Sequence, residues 1–112
     1  MALTIWHNPR CSKSRATLAL LEERGLAPGV RLYLKDTPTM AELQEAMLRL
    51  GQPASALVRW KEAGEFGLAR DASDNDIFAA LTAHPELIER PLVLTDTAAR
   101  LGRPPEAVLE IL

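Results

Sequence analysis

Residues 3–34 admit very few folds. Leu3-Thr4-Ile5-Trp6 is a short apolar run that stops at His7-Asn8-Pro9, the pattern of a strand entering a turn. From Ser12 the spacing becomes helical: Thr17, Leu18, Leu20 and Leu21 form a stripe, Glu22, Glu23 and Arg24 face water, and Gly25 stands where a glycine ends a helix. After Ala27-Pro28-Gly29, Val30-Arg31-Leu32-Tyr33-Leu34 alternates as a second strand. Strand, tight loop, helix and strand make a βαβ unit, whose right-handed crossover lays the second strand beside the first.

The rest of the chain must complete that half-sheet. Asp36-Thr37-Pro38 breaks the chain, and Thr39 with Glu42 is a capping-box signature ahead of Met40, Leu43, Met47 and Leu50 at helical spacing. Met40 and Met47 are expected in the core; Gly51 and Pro53 close that helix. Ser73 is expected to cap a further helix, with Asp76 in its first turn and Ile77, Ala80 and Leu81 facing inward. Residues 37–84 thus read as a helical insert. Arg90-Pro91 introduces a strand at Leu92-Val93-Leu94-Thr95, Asp96-Thr97 turns it into a partner around Ala99–Leu101, and a last helix starts near Pro104-Pro105 and packs Val108, Leu109 and Ile111. The expectation is an α/β fold of one domain over residues 1–112, a mixed four-stranded sheet with flanking helices.

Composition narrows the function. With 47% apolar and 25% charged residues the chain is globular rather than disordered. It has no apolar run near the roughly 18–20 residues of a membrane span and no secretory signal at its start, so no membrane partner and a cytoplasmic location are expected. A net charge of −2 argues against a dedicated nucleic-acid binder. The charge is unevenly spread: residues 1–35 hold six basic and two acidic side chains, residues 36–80 four and eight. The single cysteine, Cys11, excludes an internal disulfide, and any redox chemistry there needs an external thiol.

Cys11 sits on a loop that opens a helix, where unpaired backbone N–H groups and the positive helix end favour a thiolate. Arg10, Lys13 and Arg15 are expected to act in the same direction as auxiliary cations, and the Ser14 hydroxyl to reach back toward the sulfur. His7 is read either as an aid to deprotonation or as the end of the strand. A phosphatase-type loop would need arginine six residues after the cysteine, where Thr17 stands. His7, Cys11 and His84 are too few for structural zinc, and Asp71-Ala72-Ser73-Asp74-Asn75-Asp76 lacks the glycine and the closing glutamate of a calcium loop, so no metal is expected. An oxyanion partner for the thiolate would call for guanidinium groups, and Arg59, Arg90 and Arg103 are candidates, the last two at element ends; their spacing does not select them.

The run His7-Asn8-Pro9-Arg10-Cys11-Ser12-Lys13-Ser14-Arg15, the segments Ala56-Leu57-Val58-Arg59 and Leu87-Ile88-Glu89-Arg90-Pro91-Leu92-Val93, and the ending from Arg100 to Leu112 resemble the glutaredoxin-coupled arsenate reductase (ArsC) family in order and spacing. The resemblance implies a thioredoxin-like fold with a cis Arg90–Pro91 bond, Cys11 as nucleophile with His7 and Ser14 beside it, and arsenate or a similar oxyanion bound by Arg59, Arg90 and Arg103. It further implies no bound cofactor, with glutathione as co-substrate and glutaredoxin completing the cycle. Arg10, Ser12 and Lys13 depart from the small residue and the Gly-Thr pair that flank the cysteine in well-studied arsenate reductases, and resemble an Arg-Cys-Ser-Lys-Ser branch. Two other readings stand beside it. One is a general glutathione-linked thiol oxidoreductase using the same Cys11. The other is a transcriptional regulator like the Spx proteins, which typically carry a second cysteine where Ser14 stands here.

Overall fold

In the computed structural model, which describes residues 2–112, alternation decides which way each strand residue faces. The first strand, β1 (Thr4–Trp6), sends Ile5 to one face of the sheet and Trp6 to the other. The strand β3 (Leu92–Leu94) runs antiparallel to it with Val93 opposite Ile5, while Leu92 and Leu94 join Trp6 on the far face. All five side chains are buried, so both strands are central and covered on both sides. Outside them lie β2 (Gly29–Arg31), parallel to β1, and β4 (Ala99–Leu101), antiparallel to β3. The sheet order β2-β1-β3-β4 is the expected mixed four-stranded, thioredoxin-like arrangement.

Two apolar clusters fasten the layers. On the Ile5 face, α1 (Ser12–Glu23) and a C-terminal 3₁₀ helix (Pro105–Ile111) bring Leu21 and Val108 against Ile5 and Val93. Each such fully buried side chain is worth about 1.5–3 kcal/mol. The Trp6 face is covered by the residues between β2 and β3: α2 (Met40–Leu50), α3 (Trp60–Ala63) and α4 (Asp74–Ala83), joined by 3₁₀ turns. Leu43, Leu50, Leu57, Ile77, Phe78 and Leu81 form that second core.

The capping box of α2 is present: the Thr39 hydroxyl accepts the Glu42 N–H at 3.2 Å and the Thr39 N–H donates to Glu42 Oε1 at 3.0 Å. Gly51 ends the helix in the left-handed conformation, at φ +70°, which glycine adopts without strain. Glu42 also pairs with Arg31 of β2, fastening the insert to the sheet edge. The Arg31 hydrogen bonds, with help from the Thr39 N–H, hold the Glu42 carboxyl down to about 2.

Several expectations need correction. The second strand does not run through Val30–Leu34, because the Lys35 and Asp36 N–H groups donate back to the Leu32 carbonyl and turn the chain after Arg31. The alternation was nonetheless real, since Tyr33 is buried between exposed Leu32 and Leu34. Met40 is 43% exposed at the first position of α2, and the buried stripe runs through Leu43, Ala46 and Leu50. In α4 the unpredicted Phe78 is buried, whereas Ala80 is half-buried. The last helix is 3₁₀ throughout, with Val108 buried and Leu109 and Ile111 half-buried. Among the described residues, no helix is long and apolar enough to cross a membrane.

Candidate functional site

The loop between β1 and α1 is wound by its own side chains. Asn8 Oδ1 accepts the Arg10 N–H at 3.0 Å and the Asn8 carbonyl accepts the Cys11 N–H at 3.0 Å, an Asx-type turn that delivers Cys11 to the N-cap of α1. At that position a side chain faces the free N–H groups of the first helical turn. Burial pushes the Cys11 thiol up. The Ser14 N–H, Arg90, the Lys13 N–H and Arg103 together outweigh it, so the thiol ionises more readily than a free cysteine.

One neighbour behaves differently from expectation. The Ser14 hydroxyl is engaged by His7 Nδ1 at 2.6 Å and by the Asn8 N–H at 3.0 Å; it is the Ser14 backbone N–H, not the hydroxyl, that favours the thiolate. The buried His7–Ser14 pair therefore ties the end of β1 to the first turn of α1. Burial, and then the charge of Arg15, hold His7 below its ordinary pKa, so its imidazole is neutral at neutral pH. The flanking cations contribute less than the sequence suggested. Arg15 donates to the Pro9 carbonyl at 2.9 Å, and Arg10 and Lys13 extend into solvent. The cations acting on the sulfur come from distant segments.

Backbone contacts between those segments explain the convergence. Val58 and Ile88 form an isolated antiparallel bridge, with the Arg59 N–H donating to the Leu87 carbonyl at 2.8 Å and the Glu89 N–H to the Leu57 carbonyl at 2.7 Å. Arg59 is thereby held beside Glu89 and Arg90 although it belongs to the insert. The Arg90–Pro91 bond is cis, as the resemblance implied, and Arg103–Pro104 is cis as well. Gly102 fixes Arg103: its N–H donates to the Pro91 carbonyl at 2.9 Å, and a Cβ there would lie 2.7 Å from Pro91 Cγ and collide with Thr17 Oγ1 of α1. Only glycine permits so close an approach.

Arg59, Arg90 and Arg103 line one open cleft of about 250 Å³ together with Trp60, Lys61, Glu62 and Glu89. Cys11 does not line it but is within electrostatic reach of Arg90 and Arg103, which do. Arg59 Nη2 pairs with Glu62 at 3.0 Å, Arg90 Nη1 with Glu89 at 3.2 Å, and Arg103 Nη1 donates to the Arg90 carbonyl at 3.2 Å. Among the described residues Arg90 Nε is buried with no partner, an unusual condition for a strong donor. A larger hollow of about 510 Å³ near Phe66 carries Asp71 and Asp76 and no cation, which suits an oxyanion poorly.

Tyr33, Glu62 and Glu89 were not singled out from sequence. Burial pushes the Tyr33 phenol up against the pull of Arg90, Asn8 and Arg59, so it stays neutral beside the cleft. Its only signal was a large polar-tipped ring on the buried phase of an alternating run. Glu62 and Glu89 gave none, since an acidic residue near an arginine is ordinary on any surface.

The ArsC family profile matches residues 6–111. An arsenate reductase of Haemophilus influenzae is 44% identical, covering 100% of both chains, and one of Neisseria meningitidis serogroup A is 45% identical over 98% of this chain and 97% of that one. A solved arsenate reductase structure from Vibrio cholerae superposes with a TM-score of 0.90 at 47% identity, covering 100% of this chain and 98% of the other.

Proposed function

Because the chain belongs to the ArsC family, we propose that it is an arsenate reductase that turns arsenate into arsenite at Cys11, using glutathione and glutaredoxin. The observation that carries this reading is the meeting of a thiolate-favouring helix N-cap with Arg90 and Arg103, which also line the cleft shared with Arg59. Guanidinium groups bind tetrahedral oxyanions through paired donors, so the arginines hold arsenate while the sulfur approaches arsenic.

In the first step the Cys11 thiolate forms an S–As(V) bond with dihydrogen arsenate while one As–OH bond breaks, and the departing hydroxyl takes the proton of the second hydroxyl and leaves as water. Glutathione thiolate then attacks the Cys11 sulfur. The S–As electron pair passes to arsenic, which leaves as arsenite, and a Cys11–glutathione disulfide remains. A glutaredoxin thiol takes the glutathionyl group and frees the Cys11 thiolate. The neutral His7 and its Ser14 partner keep the loop in place around the sulfur. With one cysteine the chain has no resolving thiol of its own, and a glutathione-linked cycle suits the reducing cytoplasm.

The test is arsenate-dependent NADPH oxidation in the presence of glutathione, glutaredoxin and glutathione reductase. The parent chain turns over and Cys11→Ser does not. A parent that shows no arsenate-dependent turnover rules the reading out.

A further inference from the structure

We propose that Glu89 makes the cleft selective for oxyanions that still carry a hydroxyl, such as arsenate and phosphate, over fully ionised ones such as sulfate and selenate. This rests on the reading of the arginine cleft as the oxyanion site. A cleft that required only negative charge would be lined by cations alone, yet two carboxylates share this one with Arg59, Lys61, Arg90 and Arg103. Glu62 pairs with Arg59. Glu89 stands between the two arginines that act on Cys11: its Oε1 lies 3.2 Å from Arg90 Nη1, 3.6 Å from Arg103 Nε and 3.3 Å from the Arg90 N–H. Among the described residues all these contacts fall on Oε1, which leaves Oε2 open to accept a further hydrogen bond.

A carboxylate only accepts hydrogen bonds. An oxyanion with a hydroxyl turned to Glu89 donates to it while its remaining oxygens accept from the arginines. Sulfate and selenate, which hold no proton at neutral pH, set acceptor against acceptor and charge against charge at the same spot. Rejection of this kind works through an unfavourable contact with the wrong ligand rather than a better one with the right ligand. Size does not enter, because all four ions are tetrahedral and similar in radius.

The experiment is equilibrium binding of arsenate, phosphate, sulfate and selenate to the full chain and to Glu89→Gln, without glutathione, alongside coupled arsenate turnover by the same parent preparation. Glutamine keeps an Oε1 acceptor for the two arginines but offers an NH₂ donor where the second oxygen stood. Phosphate against sulfate is the deciding pair, because neither is reduced. The parent is expected to bind phosphate at least about ten-fold more tightly than sulfate, and Glu89→Gln to shrink that ratio about ten-fold. Equal affinities in the parent, or an unchanged ratio in the variant, overturn the role of Glu89. So does an equal gain for all four ions, which would make Glu89 merely a resident counter-anion. Intact turnover with any of these results leaves the arsenate reading standing, whereas a parent that neither binds any of the four nor turns over arsenate overturns both.

Discussion

The Cys11 thiol is made easier to ionise by groups of two origins, one local and one distant. The local donors are the Lys13 and Ser14 N–H groups, which any residue at this N-cap would meet; this part of the site was legible from the strand-loop-helix pattern alone. The distant groups are the charges of Arg90 and Arg103, and no spacing in the sequence selects them over the other arginines; only the family resemblance does. The division has a measurable consequence. Titration of the Cys11 thiol gives a pKa below the ordinary cysteine value, and Arg90→Ala and Arg103→Ala each raise it. Arg59→Ala, removing a cation that pairs with Glu62 and does not act on the sulfur, weakens oxyanion binding with little change in the thiol pKa. An unperturbed thiol in the parent contradicts the electrostatic account. The flanking Arg10, Lys13 and Arg15 are near Cys11 in sequence but exposed, and a long charged side chain on an exposed loop or first turn is free to point into water, so closeness in sequence does not make them act on the sulfur.

At the level of elements, local patterns are legible in the sequence and contacts between segments are not. The capping box of Thr39 and Glu42 is a four-residue pattern and was legible in full. The Arg31–Glu42 pair was not, because it joins a sheet edge to a helix across an 11-residue gap. It carries a pH prediction. The Glu42 pKa is lowered on folding, so its contribution is present above the ordinary carboxylate value of 4.5 and is lost as the pH falls toward about 2. Acid titration followed by circular dichroism is expected to show this loss, and Glu42→Gln to flatten the curve over that window. The contribution is modest because the Glu42 side chain is 42% exposed. The bridge between Val58 and Ile88 was equally hidden, although it is what holds Arg59 in the cleft. Gly102 belongs here too. A methyl group at that position drives Pro91 and Thr17 apart, so Gly102→Ala is expected to cost about 1–3 kcal/mol in denaturant unfolding and to weaken oxyanion binding by displacing Arg103. A variant as stable as the parent shows that the packing around Gly102 is looser than described.

For the whole molecule, the net charge of −2 hides the separation that matters. The fold gathers Arg59, Lys61, Arg90 and Arg103 into one cleft with Glu62 and Glu89, while most of the remaining acids of the insert face solvent. The mixed four-stranded sheet was legible because β1 and β3 are short apolar runs bounded by turns, whereas the order of the strands across it was not. The end of β2 is not legible, because Tyr33 continues the alternation after the backbone has already turned. For the proposed reaction the single cysteine has the largest consequence at this scale, since the oxidising equivalent taken from arsenate then has to leave the chain on another thiol. That requirement can be observed directly by incubating the protein with glutathione, with and without arsenate and with glutaredoxin omitted, and weighing the intact chain by mass spectrometry. The account predicts one glutathione per chain, on Cys11, formed only when arsenate is present; the same adduct without arsenate, or no adduct with it, would contradict the claim that Cys11 reduces arsenate.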